Sequence, residues 1–278
     1  MDHLKILIPT DFSVQSDYAY LMVKKIEEKV DTEIHFLHVM NVPSTVTMDK
    51  DGNVQTCGEI DVQYVLSQKN IAENKLSSLK AQYGNQIHTH IVFGKVTDQI
   101  ISFSAEHSFD LIVMGTKGAS GIKEKVSGSE TQMVARKSNI PLLSLMCDRS
   151  DLVIKNILFV HDFKNNTEQY DLSLLRKFIK YFDTKVHQLH ILDSTNELES
   201  RMILDQMDAH AKLNGIVNYS NHLLNDFDIE NGVVHFNQMH EVDMVCIGTH
   251  GKGGLFYSSV TEKLINHLYK PIISFQIK

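Results

Sequence analysis

Three cysteines in 278 residues, Cys57, Cys147 and Cys246, stand far apart without a C-x-x-C pair. That scarcity excludes a disulfide framework and a cysteine-based zinc site, and it points to a reducing cytoplasm. Basic charge is also short: 27 Lys and Arg face 34 Asp and Glu, for a net charge of −7. No basic block interrupts that balance, so neither a nucleic-acid backbone nor an anionic membrane is the expected partner. Long apolar runs are missing too. The opening MDHLKILIPTDFS has no basic segment followed by a long apolar one, and later runs are of strand length, so neither a leader nor a membrane span is expected. Also missing are a Walker-type Gly-Lys-Ser/Thr, a HIGH-like motif and a clear pairing of nucleophile with base, which argues against catalysis. The 42% apolar and 22% charged content is that of a globular chain long enough for one or two domains.

What the chain does carry is a strand running into glycines. Leu111–Met114 is an apolar run; Gly115, Gly118 and Gly121 follow it, and Gly128-Ser129 precedes a helical pattern to Lys137. Backbone N–H groups at a glycine-rich loop and a helix N-terminus converge on anions, and phosphate is the guest this arrangement suits. Gly115 and Gly118 bracket a turn that calls for positive φ or for close approach of a ligand to the backbone. The spacing Gly115-x2-Gly118-x9-Gly128-Ser129 resembles the nucleotide-binding signature of the universal stress protein family. The stretch Ile6-Leu7-Ile8-Pro9-Thr10-Asp11-Phe12-Ser13 is similar to that family's first strand and its acidic end.

Read in order, the chain alternates strand and helix. Leu4–Pro9 reads as a buried strand, Ser13 as the N-cap of a helix to about Val30, and Glu33–Met40 as a second strand. Asn41–Gly58 holds a small surface hairpin turning at Asp49–Asn53; a calcium loop fails there because the glycine comes too early and no glutamate closes it. Helices over Ile60–Tyr83 and Val96–Glu106, strands over Ile87–Phe93, Asp110–Gly115 and Ile140–Leu145, and the helix from Ser129 complete the half. The pattern then repeats: Ile154–Phe163, Val186–Ile191, Asp243–Thr249 and Lys270–Phe275 echo the first-half strands. We therefore expect an α/β protein of two tandem doubly wound domains, residues 1–150 and 151–278, each with a mainly parallel five-stranded sheet. The resemblance implies that the two pack as an intramolecular pseudo-dimer; two such chains could associate further as a homodimer.

The resemblance further implies an adenine-nucleotide-binding module of the stress response, with ATP as ligand and magnesium as an accompanying ion. It implies Pro9, Thr10 and Asp11 beside the adenine, the Val39 backbone on the base, and Met114 and Gly115 near the ribose, with Thr116 a further nucleotide-binding residue. Gly118, Gly128, Ser129, Glu130 and Thr131 would surround the phosphates. Asp11 has a helix cap as its lesser reading, Glu130 reads as a like charge near the phosphates or as a cap, and Lys117, Lys123 and Lys125 as solvated loop cations. A slow ATPase or phosphotransfer enzyme, on a fold resembling nucleotidyl transferases and ATP pyrophosphatases, and a non-binding scaffold are the rival readings. In the second half, Gly248-Thr249-His250-Gly251 keeps the first turn, but only six residues separate Gly251 from Ser258-Ser259, and Ser258 stands where Gly128 would be. That copy is expected to have lost tight nucleotide binding. His161, His190 and His250 fall near the same sheet edge as Asp162; they would bind a metal only by converging, and no metal ligand is assigned.

Overall fold

The computed structural model describes residues 3–49, 52–56, 60–116, 130–163, 171–192, 197–250 and 255–277. Its first half runs β1 (His3–Pro9), α1 (Val14–Glu27), β2 (Asp31–Met40), β3 (Val46–Met48), β4 (Val54–Thr56), α2 (Val62–Tyr83), β5 (His88–Phe93), α3 (Val96–Glu106), β6 (Leu111–Gly115), α4 (Glu130–Lys137) and β7 (Leu142–Leu145). The second half runs β8 (Asn156–Val160), α5 (Ser173–Phe182), β9 (Lys185–Leu192), α6 (Glu197–Leu213), β10 (Tyr219–Asn225), α7 (Ile229–Met239), β11 (Met244–His250), α8 (Leu255–His267) and β12 (Ile272–Ile277).

The local reasons are in the residues. Ile6, Leu7 and Ile8 of β1 are all buried, as a strand covered on both faces requires. In α1, Ala19, Val23 and Ile26 recur at helical spacing and turn one stripe to the sheet. The Asp61 carboxylate caps α2 by accepting from the N–H groups of Gln63 and Tyr64 at 2.9 and 3.2 Å, and the helix stops at Gly84, whose φ of 104° few other residues adopt. β3 and β4 pair antiparallel around Gly52, at φ 83°, which is the expected hairpin. The last strand of the half begins at Leu142 rather than Ile140, since Pro141 has no N–H to give a ladder.

All the long strands lie in one sheet, ordered β10-β9-β8-β11-β12-β7-β6-β1-β2-β5. Each half contributes five parallel strands in the same order. They continue into each other because β7 and β12 pair antiparallel, with Leu143 opposite Ile273. Either strand alone would end its sheet with unpaired N–H and C=O groups, and the mutual pairing satisfies both. Side chains extend this junction: Gln132 Nε2 donates to the Glu262 carbonyl at 2.8 Å, and the Thr249 hydroxyl lies between the carbonyls of Phe275 at 3.1 Å and Ala135 at 3.3 Å. One apolar layer lies under α1, α2, α5 and α6, and a second under α3, α4, α7 and α8.

Candidate functional site

Strand order reverses between β1 and β6: β1 pairs β2 on one side and β6 on the other, and their connections leave to opposite faces. Such a switch point opens a crevice at the carboxyl ends of the strands. The loop leaving β1 is tightly held. Thr10 continues the ladder through its N–H to the Leu37 carbonyl at 2.9 Å, while its hydroxyl accepts from Phe12 N at 2.9 Å and donates to Ser16 Oγ at 3.0 Å. Those bonds keep Phe12 at φ 64°, a left-handed conformation that side chains rarely adopt. Asp11 Oδ1 accepts from Ser13 N at 3.0 Å, so the carboxylate closes a local turn rather than capping α1 itself; Ser13 holds the N-cap position without a side-chain capping bond. From β2, His38 donates from Nδ1 to the Thr10 carbonyl at 2.8 Å and packs its ring on Phe12 at 4.5 Å.

Above this loop lies a cavity of about 250 Å³. Pro9, Thr10, Asp11, Val39, Met114, Gly115, Thr116, Glu130 and Thr131 all line it. Gly118, Gly128 and Ser129, and the loop lysines 117, 123 and 125, lie outside the described residues. Ser13, Gln15, Ser16, Leu37, His38, Val96 and Ile100 complete the wall, and all but His38 were not singled out from the sequence as site residues. The apolar face of α3 could have suggested Val96 and Ile100, four residues apart; Ser16 and Gln15 enter only through the first turn of α1. A second cavity of about 420 Å³ shares Asp11, His38 and Val39 with the first and extends to Tyr64, Gln68 and Lys75 of α2.

One expected reason changes on inspection, that for Gly115. Gly115 is not at positive φ, and a Cβ there would meet the Gln15 carbonyl oxygen at 2.0 Å. The close approach that needs a glycine is therefore that of α1, whose first turn sits directly on the end of β6. Glu130, the first residue of α4, has its carboxylate hydrogen-bonded by the Thr97 hydroxyl of α3.

The sequence profile of the Universal stress protein family matches residues 3–145, just over half the chain and all of the segment that builds this cavity. The chain belongs to the universal stress protein family. Two universal stress proteins of Methanocaldococcus jannaschii are 29% and 28% identical to it over 139 and 149 residues; each alignment spans 50% of this chain, and they span 79% and 92% of the relatives. The crystal structure of a universal stress protein from Archaeoglobus fulgidus superposes with a TM-score of 0.73 at 18% identity, covering 98% of this chain and 96% of the other. Both halves of this universal stress protein thus share a known fold.

The second half repeats the loop geometry with different side chains. Phe163 sits at φ 54° as Phe12 does at 64°, and His190 donates to the His161 carbonyl at 3.3 Å as His38 does to that of Thr10. The Phe163 N–H bonds Nδ1 of His161 at 2.9 Å, so a buried imidazole does the work of the Thr10 hydroxyl. That ring packs among Phe159, Phe163 and His210. Burial, with His161 nearby, pushes His210 down to about 3. Among the described residues His161 and His190 do not join a metal-ligand cluster, and the His250 side chain lies outside them. No described helix is long and apolar enough to cross a membrane.

Proposed function

We propose that this universal stress protein binds an adenine nucleotide, ATP, in the cavity at the carboxyl ends of β1 and β6, and that occupancy governs its interactions in the stress response. The observation that carries the reading is the convergence of Pro9–Asp11, Val39, Met114–Thr116 and Glu130–Thr131, from four separate strands and helices, on that one cavity. Its composition suits the ligand: Val39, Ile100 and Met114 offer an apolar wall for a base, while Thr10, Asp11, Thr116 and Thr131 supply polar atoms at the rim. Adenine goes beside Pro9–Asp11 and Val39, ribose beside Met114–Thr116, and phosphates toward Thr131 and the Gly118 and Gly128-Ser129 segment. Glu130 would face the phosphates with like charge, and a magnesium ion beside it would offset that charge.

We place the unit boundary near residue 150, with residues 1–150 as the binding unit and 151–278 as a companion without tight nucleotide binding. Support comes from the buried His161 ring standing where Thr10 stands, and from the second sheet set that closes the edge at β7. Since a ligand shifts a conformational balance only by its differential affinity for the states, coupling to partners has to run through elements that touch the cavity; α4 is one of them, and it also reaches α8 of the second half.

Acid denaturation of the purified chain should release adenine nucleotide, and calorimetry on the emptied protein should show one ATP per chain. Gly128→Leu should abolish the heat and Ser258→Leu leave it. Incubation with ATP and magnesium tests the enzymatic rival by following ADP; equal loss in the two variants, or no binding, would refute the assignment.

A further inference from the structure

Near the amino ends of β2 and β5, away from the cavity and on the face covered by α3, three side chains from two strands converge. Glu33 and His35 share a face of β2 because they are two residues apart, and the parallel register sets His88 of β5 opposite His35. The ligating atoms of the three lie within 4.8 Å of one another. His35 is buried, Glu33 half-buried and His88 exposed, so the cluster is anchored in the fold and open on one side. His35 Nε2 stands 2.5 Å from Glu33 Oε1, and its ring stacks on that of His88 with centroids 4.5 Å apart. At that separation the centre between them is a proton, since ligand atoms on a tetrahedral zinc ion stand roughly 3.3 Å apart, and it is this proton that a metal ion would displace. The other nitrogen of His35 is already engaged: Nδ1 meets Nε2 of His90 at 2.8 Å. Once a metal ion replaces the proton shared with Glu33, a hydrogen on Nδ1 directed at His90 would orient the imidazole with its Nε2 lone pair toward the ion, as in metal-bound histidines.

The second half is an internal comparison. His187 pairs Ser220 and Leu189 pairs His222, as His35 pairs His88 and Leu37 pairs His90. The His–His contact recurs between His187 and His222 at 3.1 Å, and Phe236 covers His222 at 4.9 Å as Phe103 covers His90. Yet Lys185 takes the place of Glu33, Ser220 that of His88, and Nε2 of His187 goes to Asn156 Oδ1 at 3.2 Å. A packing role common to both halves accounts for the His–His pair. It does not account for the carboxylate and the extra imidazole, which only the first half has.

We infer that Glu33, His35 and His88 bind a divalent transition-metal ion, zinc first, at a site separate from the nucleotide cavity, with His90 as a positioning residue. Two imidazoles and one carboxylate are a borderline-soft donor set that suits zinc, and three protein ligands leave a fourth position. His3 borders the cluster without joining it: Nε2 lies 3.5 Å from Glu33 Oε2, while Nδ1 is held by Asp31 at 3.0 Å. Lys5 Nζ, 4.0 Å from Glu33 Oε1, is the charge an arriving ion displaces. From His35 to Val39, at the nucleotide cavity, is four residues of extended strand, or about 13 Å.

The test is calorimetry of zinc chloride into the metal-free full chain, with cobalt(II) absorption as the spectroscopic partner. One equivalent should bind, with visible cobalt bands of tetrahedral intensity. Glu33→Gln and His88→Ser should each weaken binding by roughly tenfold or more, and should abolish those bands and the zinc-induced rise in melting temperature. His88→Ser writes the second half's residue into an exposed position, so its melting temperature without zinc should match the parent, and its ATP titration should be unchanged. No zinc uptake at micromolar concentrations, or an unchanged equivalent in both variants, would overturn the site while leaving the nucleotide assignment standing.

Discussion

Replacing Gly115 with alanine separates two explanations for that glycine. A Cβ at this position would lie 2.0 Å from the Gln15 carbonyl oxygen, 2.4 Å from its carbonyl carbon and 2.7 Å from its Cβ. Ordinary contact between such atoms is roughly 3.5 Å, so α1 and β6 would have to part by more than about 1 Å. Backbone atoms on both sides leave no rotamer to absorb the shift. Overpacking of this kind costs about 1–3 kcal/mol, occasionally more, which in a chain of this length lowers the melting temperature by roughly 2–10 °C. Gly232 is the control. Its added Cβ would meet Ile191 Cδ1 at 2.4 Å and Cγ1 at 2.9 Å, side-chain atoms rather than backbone, so the cost of relief by rotation of Ile191 is set against a gain of up to about 1 kcal/mol for alanine within helix α7. Thermal and urea unfolding of Gly115→Ala and Gly232→Ala should therefore show a clear loss for the first and a change within about 1 kcal/mol for the second. A Gly115→Ala protein of parental stability that has lost adenylate binding would refute the helix-packing account and return the glycine to the ligand.

Acid should destabilise the protein early. Burial holds His210 at about 3 and both His90 and His187 at about 4, all below the ordinary imidazole value. Below pH 6.5 the unfolded chain takes up protons that the native state refuses, so stability is full above that value and falls toward pH 4; His210 alone contributes about 1.4 kcal/mol per pH unit. Urea midpoints from pH 7.5 to 5.5 should decline, His210→Gln should flatten the decline, and a level profile in the parent would contradict it. Glu130→Gln keeps an acceptor for the Thr97 hydroxyl but removes a charge from the cavity wall; magnesium-free titrations should show ATP affinity rising by about 1 kcal/mol while adenosine affinity stays level. Thr10→Val removes the acceptor of the Phe12 N–H and the partner of Ser16, and should cost about 1–3 kcal/mol in unfolding free energy; a loss below 0.5 kcal/mol, by about the scale of a surface substitution, would mean the Phe12 turn holds itself.

Much of this molecule is written in its residue pattern. Continuous apolar runs such as Ile6–Ile8 can only be strands buried on both faces, the alternation with helical stripes makes the sheet parallel, and the repeat from Ile154 announces a second copy. Pro9–Asp11 and Met114–Thr116 were recognisable because a short motif at a strand end carries its chemistry in consecutive residues. Other features depend on atoms far apart in the chain. The pairing of Leu143 with Ile273, which turns two five-strand sets into one sheet, is made by backbone groups that every residue possesses, so no side chain signals it. The crowding of Gly115 by Gln15 comes from a helix docking across a strand, and looks in the sequence like a glycine kept for a ligand. Glu33, His35 and His88 meet because parallel register sets β5 beside β2, and the 52 residues between His35 and His88 conceal it. Local pattern determines which elements form; only packing and register decide which distant side chains share a site.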